Sequence, residues 1–147
     1  MQDTRRLATE LLQLLPDLKN MLIRKFDGHE RQLTLIQLGA LGFFLNEPRT
    51  ISELATARQI SLQTASEMVG NLADQGLVER IRSVDDRRKW MVQVTDTGTT
   101  TFHQENTLVA DIVTSQLTRL SDDEVAALHI ALPALHRIFS EGDHSQS

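Results

Sequence analysis

The chain has 147 residues, 40% of them apolar and 24% charged, with a net charge of −5, which places it with single soluble folded domains and excludes the disordered and fibrous classes. Leu, Ala, Gln and Glu are plentiful, Tyr is absent, and only seven Gly and three Pro are present, so helices are favoured over a sandwich or barrel. The absence of Cys excludes a disulfide framework, a Cys-type zinc finger, an iron-sulfur cluster and any thiol nucleophile or redox sensor.

From Thr4 to Phe26 the residues Leu7, Leu11, Leu14, Leu18 and Leu22 recur at three and four, one continuous helical stripe. Pro16 predicts a kink, or a new start at Asp17, and Asp27-Gly28 closes the segment. Asp3 and Glu10 among these leucines do not make a signal peptide, so we expect a cytoplasmic protein. Thr34 can cap a second helix running to about Asn46, apolar on most faces and therefore central, which Pro48 ends. Its run Leu38 to Leu45 falls far short of the roughly 20 residues that a membrane span needs, and no membrane partner is expected.

Thr50-Ile51-Ser52-Glu53 has the form of a capping box opening a short third helix to about Arg58. Ser61 can cap a fourth, with Ala65, Met68, Val69 and Leu72 as its buried stripe and Gly76 as its left-handed terminator. From Leu77 the period changes to two, through Val78, Arg80 and Arg82, then a polar stretch from Ser83 to Lys89, then Trp90 to Val94. That is a β-hairpin with a basic tip: five of the fifteen basic residues lie between positions 80 and 89. Thr95 or Thr97 can cap a long fifth helix carrying Phe102, Leu108, Ile112, Leu117 and Leu120. Ser121-Asp122-Asp123-Glu124 is a second capping box, opening a sixth helix in which Val125, Leu128, Leu132, Leu135 and Phe139 repeat and Pro133 predicts a bend. Residues 141–147 read as a disordered tail.

The fold class is therefore mainly α with a small β-hairpin wing: a winged helix-turn-helix between N- and C-terminal helices. Leu33 to Gln37, Ile51 to Ala55, Leu72 to Arg80, Asp85-Asp86-Arg87-Arg88 and Val94 to Gly98, in that order and spacing, resemble the successive signatures of the MarR family of bacterial regulators. The resemblance implies a single domain over residues 1–140, with the winged part at 33–98 and dimerisation helices at 3–30 and 99–140. It implies a homodimer on a palindromic operator in double-stranded DNA, most simply a repressor. Leu7, Leu11, Leu18, Ile112, Leu128 and Leu135 are the candidate dimer contacts, since leucine stripes at both chain ends need partners to bury them.

In the wing, the resemblance assigns Asp86 to bracing the turn and Arg88 to the minor groove, with Arg80, Arg82, Arg87 and Lys89 as further DNA contacts. On the fourth helix Ser61, Gln63, Thr64, Glu67 and Asn71 are the candidates for reading base edges. That helix is unusual, because no Lys or Arg occurs from Gln59 to Glu79 and Glu67 stands where many relatives carry a basic residue. Phosphate contacts would then come from the wing and from Arg5, Arg6, Arg49 and Arg58. A dimeric winged-helix interaction module with weak or no DNA binding stays open as an alternative.

The resemblance also implies a small aromatic effector between the helical and winged parts. His29, Glu30, His103 and Glu105 flank the junction used by the zinc-sensing branch, but His129 and His136 are about 10 Å apart along a helix, and the spacings argue for surface histidines, with no metal and no cofactor. No glycine-rich phosphate loop, nucleophile elbow or metal-ligand motif points to an enzyme.

Overall fold

A computed structural model describes residues 2–27 and 32–141. In chain order the elements are α1 (Gln2–Phe26), α2 (Leu35–Phe43), α3 (Ile51–Arg58), α4 (Leu62–Asp74), β1 (Val78–Arg82), β2 (Trp90–Val94), α5 (Asp96–Leu117) and α6 (Asp122–Ser140). They fall into two compact units, residues 1–110 and 111–147.

In the first unit, α1 is one helix through Pro16, with no new start at Asp17. A missing N–H costs one hydrogen bond, which a ladder of 25 residues absorbs. Beyond Asp27, Gly28 to Arg31 lie outside the described residues. Asp27 Oδ1 accepts the Leu35 N–H at 2.9 Å and so ties the end of α1 to the start of α2. Thr34 caps α2 through a reciprocal box with Gln37, at 3.2 and 2.9 Å. The helix stops at Phe43, short of the expected Asn46, because the N–H groups of Phe44 and Leu45 turn back to Leu41 and Gly42, tightening the last turn.

The capping box at Thr50 forms as expected, with Glu53. The turn between α3 and α4 places Gln59 at φ 54°, a left-handed cap where the sequence offers no Gly, and the Ile60 N–H bonds the Ala55 carbonyl at 3.0 Å. Ser61 caps α4, and Gly76 terminates it at φ 76°. Leu41, Phe44, Leu54, Ala65, Val69, Leu72, Leu77 and Val92 are buried together with Phe26, Leu33 and Leu38 as the core.

The hairpin is antiparallel, pairing Val78 with Val94 and Arg82 with Trp90. Arg49 adds a single bridge to Val92, with N···O distances of 3.2 and 2.7 Å, so the loop before α3 acts as a one-residue third strand. Thr95, and not Thr97, caps α5: its Oγ1 accepts the Gly98 N–H at 3.0 Å while its hydroxyl donates to the Gly76 carbonyl at 2.7 Å. Gly98 is required there, since a Cβ would run into the Leu77 carbonyl oxygen and lie 2.7 Å from Val94 Cγ1.

The second unit contains the last turns of α5 and all of α6. Ser121 and Glu124 form the expected box, and α6 runs through Pro133 to Ser140. Glu141 keeps helical dihedrals (φ −62°, ψ −24°) in place of the disorder expected of it, and residues 142–147 lie outside the described residues. No residue of α6 is buried.

Candidate nucleic-acid interface

Two short helices at a tight turn, followed by a hairpin, leave one face of α4 and the hairpin tip to solvent. On α4 the stripe Ala65, Val69 and Leu72 is buried and Met68 half-buried, which turns Gln63, Thr64, Glu67 and Asn71 outward, all of them exposed. Ser61 is committed to the cap, accepting the Thr64 N–H at 3.0 Å and donating its hydroxyl to Thr64 Oγ1 at 2.8 Å. Gln63 Nε2 donates to Glu67 Oε1 at 3.4 Å, which leaves the second carboxylate oxygen of Glu67 for an outside donor. Leu62, at the first position of α4, is also exposed. Periodicity around the buried stripe did not single it out, although its place beside Gln63 could have.

The tip of the hairpin is built around Asp86. Its Oδ1 accepts the Arg88 N–H at 3.0 Å and lies 3.5 Å from Arg88 Nε, while its carbonyl accepts the Lys89 N–H at 3.0 Å. The carboxylate thus orients Arg88, whose side chain is 95% exposed and aimed into solvent. Arg82 is placed differently from expectation: its guanidinium carbon lies 3.9 Å from the Trp90 ring centroid and its Nη1 donates to the Arg87 carbonyl at 2.9 Å, so it is turned onto the protein. Arg80, Arg87 and Lys89 are exposed and have no ion pair among the described residues.

The accessory arginines are less available than expected. Arg49 pairs with Glu47 at 3.0 Å and Glu53 at 3.8 Å and lies 4.8 Å from the Phe43 ring centroid. Arg58 Nη2 donates to the Gly39 carbonyl at 3.0 Å, and Arg6 pairs with Glu10 on α1. Among the candidate dimer contacts, Leu7 and Leu18 are exposed and Leu11, Ile112, Leu128 and Leu135 half-buried. Within the first unit, α2, α3 and α5 line a cavity of about 450 Å³ whose walls include Leu38, Phe43, Phe102 and Val109, with Arg58 and Asn106 as its polar groups. His29 and Glu30 lie outside the described residues, among which no group of three or more His, Asp or Glu is placed to hold a metal ion. No described helix is long and apolar enough to cross a membrane.

A sequence model of the MarR family matches residues 31–89, the segment from the approach to α2 through the wing tip. The chain is 26% identical over 136 residues to the HTH-type transcriptional regulator TcaR of Staphylococcus aureus, covering 90% of this chain and 83% of that protein. Among solved structures it is similar to wild-type MarR of E. coli in its apo form, with a TM-score of 0.73 and 24% identity over 88% of this chain and 96% of that one. It is also similar to FabT of Streptococcus pneumoniae in complex with DNA, with a TM-score of 0.67 and 18% identity over 94% and 98% of the two chains. The fold is that of MarR structures, and the family recognised from the motifs is the one these matches return.

Proposed function

From a chain whose winged segment matches the MarR family, we propose a sequence-specific DNA-binding transcriptional regulator, a cytoplasmic repressor that works as a homodimer on a palindromic operator, with residues 1–140 as one functional domain. The observation that carries this reading is the wing tip: an exposed Arg88 held by Asp86 is a fork prepared for the negative potential of a minor groove. Exposed Gln63, Thr64, Glu67 and Asn71 on α4 supply the base-reading surface, with Glu67 accepting from a cytosine amino group. Arg80, Arg87 and Lys89 supply phosphate contacts. Exposed leucines on α1 and exposed Leu132 and Phe139 on α6 support a second copy covering those faces.

The experiment is a gel shift at one fixed salt concentration, against a duplex selected by the protein from a random library and against random DNA. Arg88→Ala should weaken binding to both by about 1 to 3 kcal/mol. Glu67→Gln should raise affinity for random DNA while reducing preference for the selected site, because a carboxylate near phosphates is repelled but discriminates at cytosine by about 1 to 3 kcal/mol. The acidic α4 favours one second reading, an interaction module without DNA binding. In that case neither substitution changes anything.

The cavity on α2, α3 and α5 supports control by a small aromatic effector with an acidic group facing Arg58. An effector present at a hundred times its dissociation constant adds about 2.7 kcal/mol to the folded state. A panel of phenolic acids that shifts neither melting nor DNA affinity removes this part of the reading.

A further inference from the structure

We propose that Arg82 and Trp90 form a clamp that sets the position of Arg88, so that Arg82 is a positioning residue and not a DNA contact. The proposal rests on the wing's reading as a DNA-binding element. Arg82 and Trp90 are the last cross-strand pair of the hairpin, where the chain leaves the ladder for the tip at residues 83–89. A pair at the turn end of a two-stranded ribbon has a ladder neighbour on one side and a loop on the other, so movement of the loop reaches it first. Two contacts of a single planar group counter this. The Arg82 guanidinium stacks on the Trp90 ring at 3.9 Å, joining the strands, and its Nη1 donates to the Arg87 carbonyl at 2.9 Å, joining the ladder to the tip.

The carbonyl of Arg87 and the N–H of Arg88 belong to one peptide unit. Arg82 holds that unit by its oxygen, and Asp86 Oδ1 holds it by its N–H at 3.0 Å. A planar peptide fixed at both polar ends cannot rotate about its flanking dihedrals without breaking one of the bonds, so the direction in which Arg88 leaves the backbone is set before any duplex arrives. Ser83 N–H to the Lys89 carbonyl, at 3.0 Å, closes the loop beneath it. Lysine at position 82 could lay a cation on the ring but lacks the flat, forked donor that reaches the carbonyl at the same time.

Trp90 is the sole tryptophan of the chain, so its emission reports on the clamp without a label. The test uses the full chain and four variants: Arg82→Ala, Arg82→Lys, Trp90→Ala and the double alanine variant. Each is measured for circular dichroism, for affinity to the selected duplex and for hydrogen exchange of the Arg88 amide in the free protein. We expect Arg82→Ala and Trp90→Ala each to weaken binding roughly five- to twentyfold, the double variant to be little weaker than either, and Arg82→Lys to recover part of the loss. Exchange at the Arg88 amide should quicken in both single alanine variants, and Trp90 emission should change in Arg82→Ala. If Trp90→Ala keeps wild-type affinity and amide protection while Arg82→Ala loses affinity, Arg82 contacts DNA directly and the clamp is overturned. If the wild type binds no duplex, the regulator reading fails by itself, and Arg88 amide exchange alone decides the clamp: unchanged protection in Arg82→Ala rejects it.

Discussion

The middle of the chain and its two ends solve the burial problem differently. Every buried apolar side chain among the described residues lies between Phe26 and Val92, on the end of α1, the winged elements and their connections, and none lies on α6. At the ends many apolar residues face water: Leu7 on α1 is 57% exposed and Ile130 on α6 78%. Helical periodicity is as plain on α1 as on α4, so periodicity announces an apolar face without saying what covers it. The middle buries its apolar face within one copy, whereas the ends leave theirs exposed.

The substitution that should separate the two regions most is Leu128→Asp on α6. If the ends form a dimer interface, an unpaired carboxylate there should weaken association by about 3 to 5 kcal/mol, read by sedimentation equilibrium. A wild-type protein that is monomeric at micromolar concentration, or a variant that associates unchanged, breaks the comparison. In the middle, Leu54→Ala leaves a void at a fully buried site and should cost about 3 kcal/mol of unfolding free energy in denaturant titrations. That loss should be independent of protein concentration, whereas a loss that disappears at high concentration would show that the middle also depends on the partner.

Local chemistry, by contrast, should be equal in the two regions. Thr50→Ala and Ser121→Ala each remove the hydroxyl of a formed capping box, and each should cost about 1 kcal/mol in thermal unfolding. A markedly smaller cost at Ser121 would mean that the start of α6 contributes little to the folded state.

The smallest expected effect is a pH dependence at that same box. The backbone N–H of Ser121, and then its side chain, hold the Glu124 carboxyl below its ordinary value. A depressed folded-state pKa stabilises above the unfolded value and is lost as pH falls through the folded one, so the contribution is full at neutral pH and gone in acid. Melting curves of the wild type and Glu124→Gln between about pH 7 and about pH 3 should converge as pH falls. A constant difference would mean that the ionised carboxylate is not what the box uses.

Much of the architecture was legible because it is written in short-range chemistry. Thr34, Thr50, Ser61 and Ser121 announced four helix starts, since a side chain three residues from an orphan amide needs no tertiary context to cap it. Gly76 announced its left-handed terminator for the same reason. The boundaries that went unread depend on competition among neighbours: α2 ends at Phe43 because a tighter last turn forms before Pro48 is reached, and Arg49 joins Val92 because the fold brings a loop to the edge of the hairpin.

At the candidate site, sequence placed Gln63, Thr64, Glu67 and Asn71 on the outward face of α4 and Arg88 at the wing tip, where the structure has them exposed, since alternation and helical period fix which residues share a face. It did not divide the arginines by role. Arg82 and Arg88 are the same residue type six positions apart in one basic run, yet one lies on a tryptophan ring and the other is held in water by a carboxylate. Arg49 and Arg58 likewise read as free cations and are engaged by Glu47, Glu53 and the Gly39 carbonyl. By itself the sequence determined the helix starts, the faces and the hairpin, because these follow from periodicity and from groups within a few residues of one another. Only the tertiary structure decided which arginines are engaged by the protein's own groups, because a long side chain chooses among acceptors and rings, from Glu47 beside Arg49 to the Gly39 carbonyl reached by Arg58, whose positions depend on how the turns, strands and helices fold.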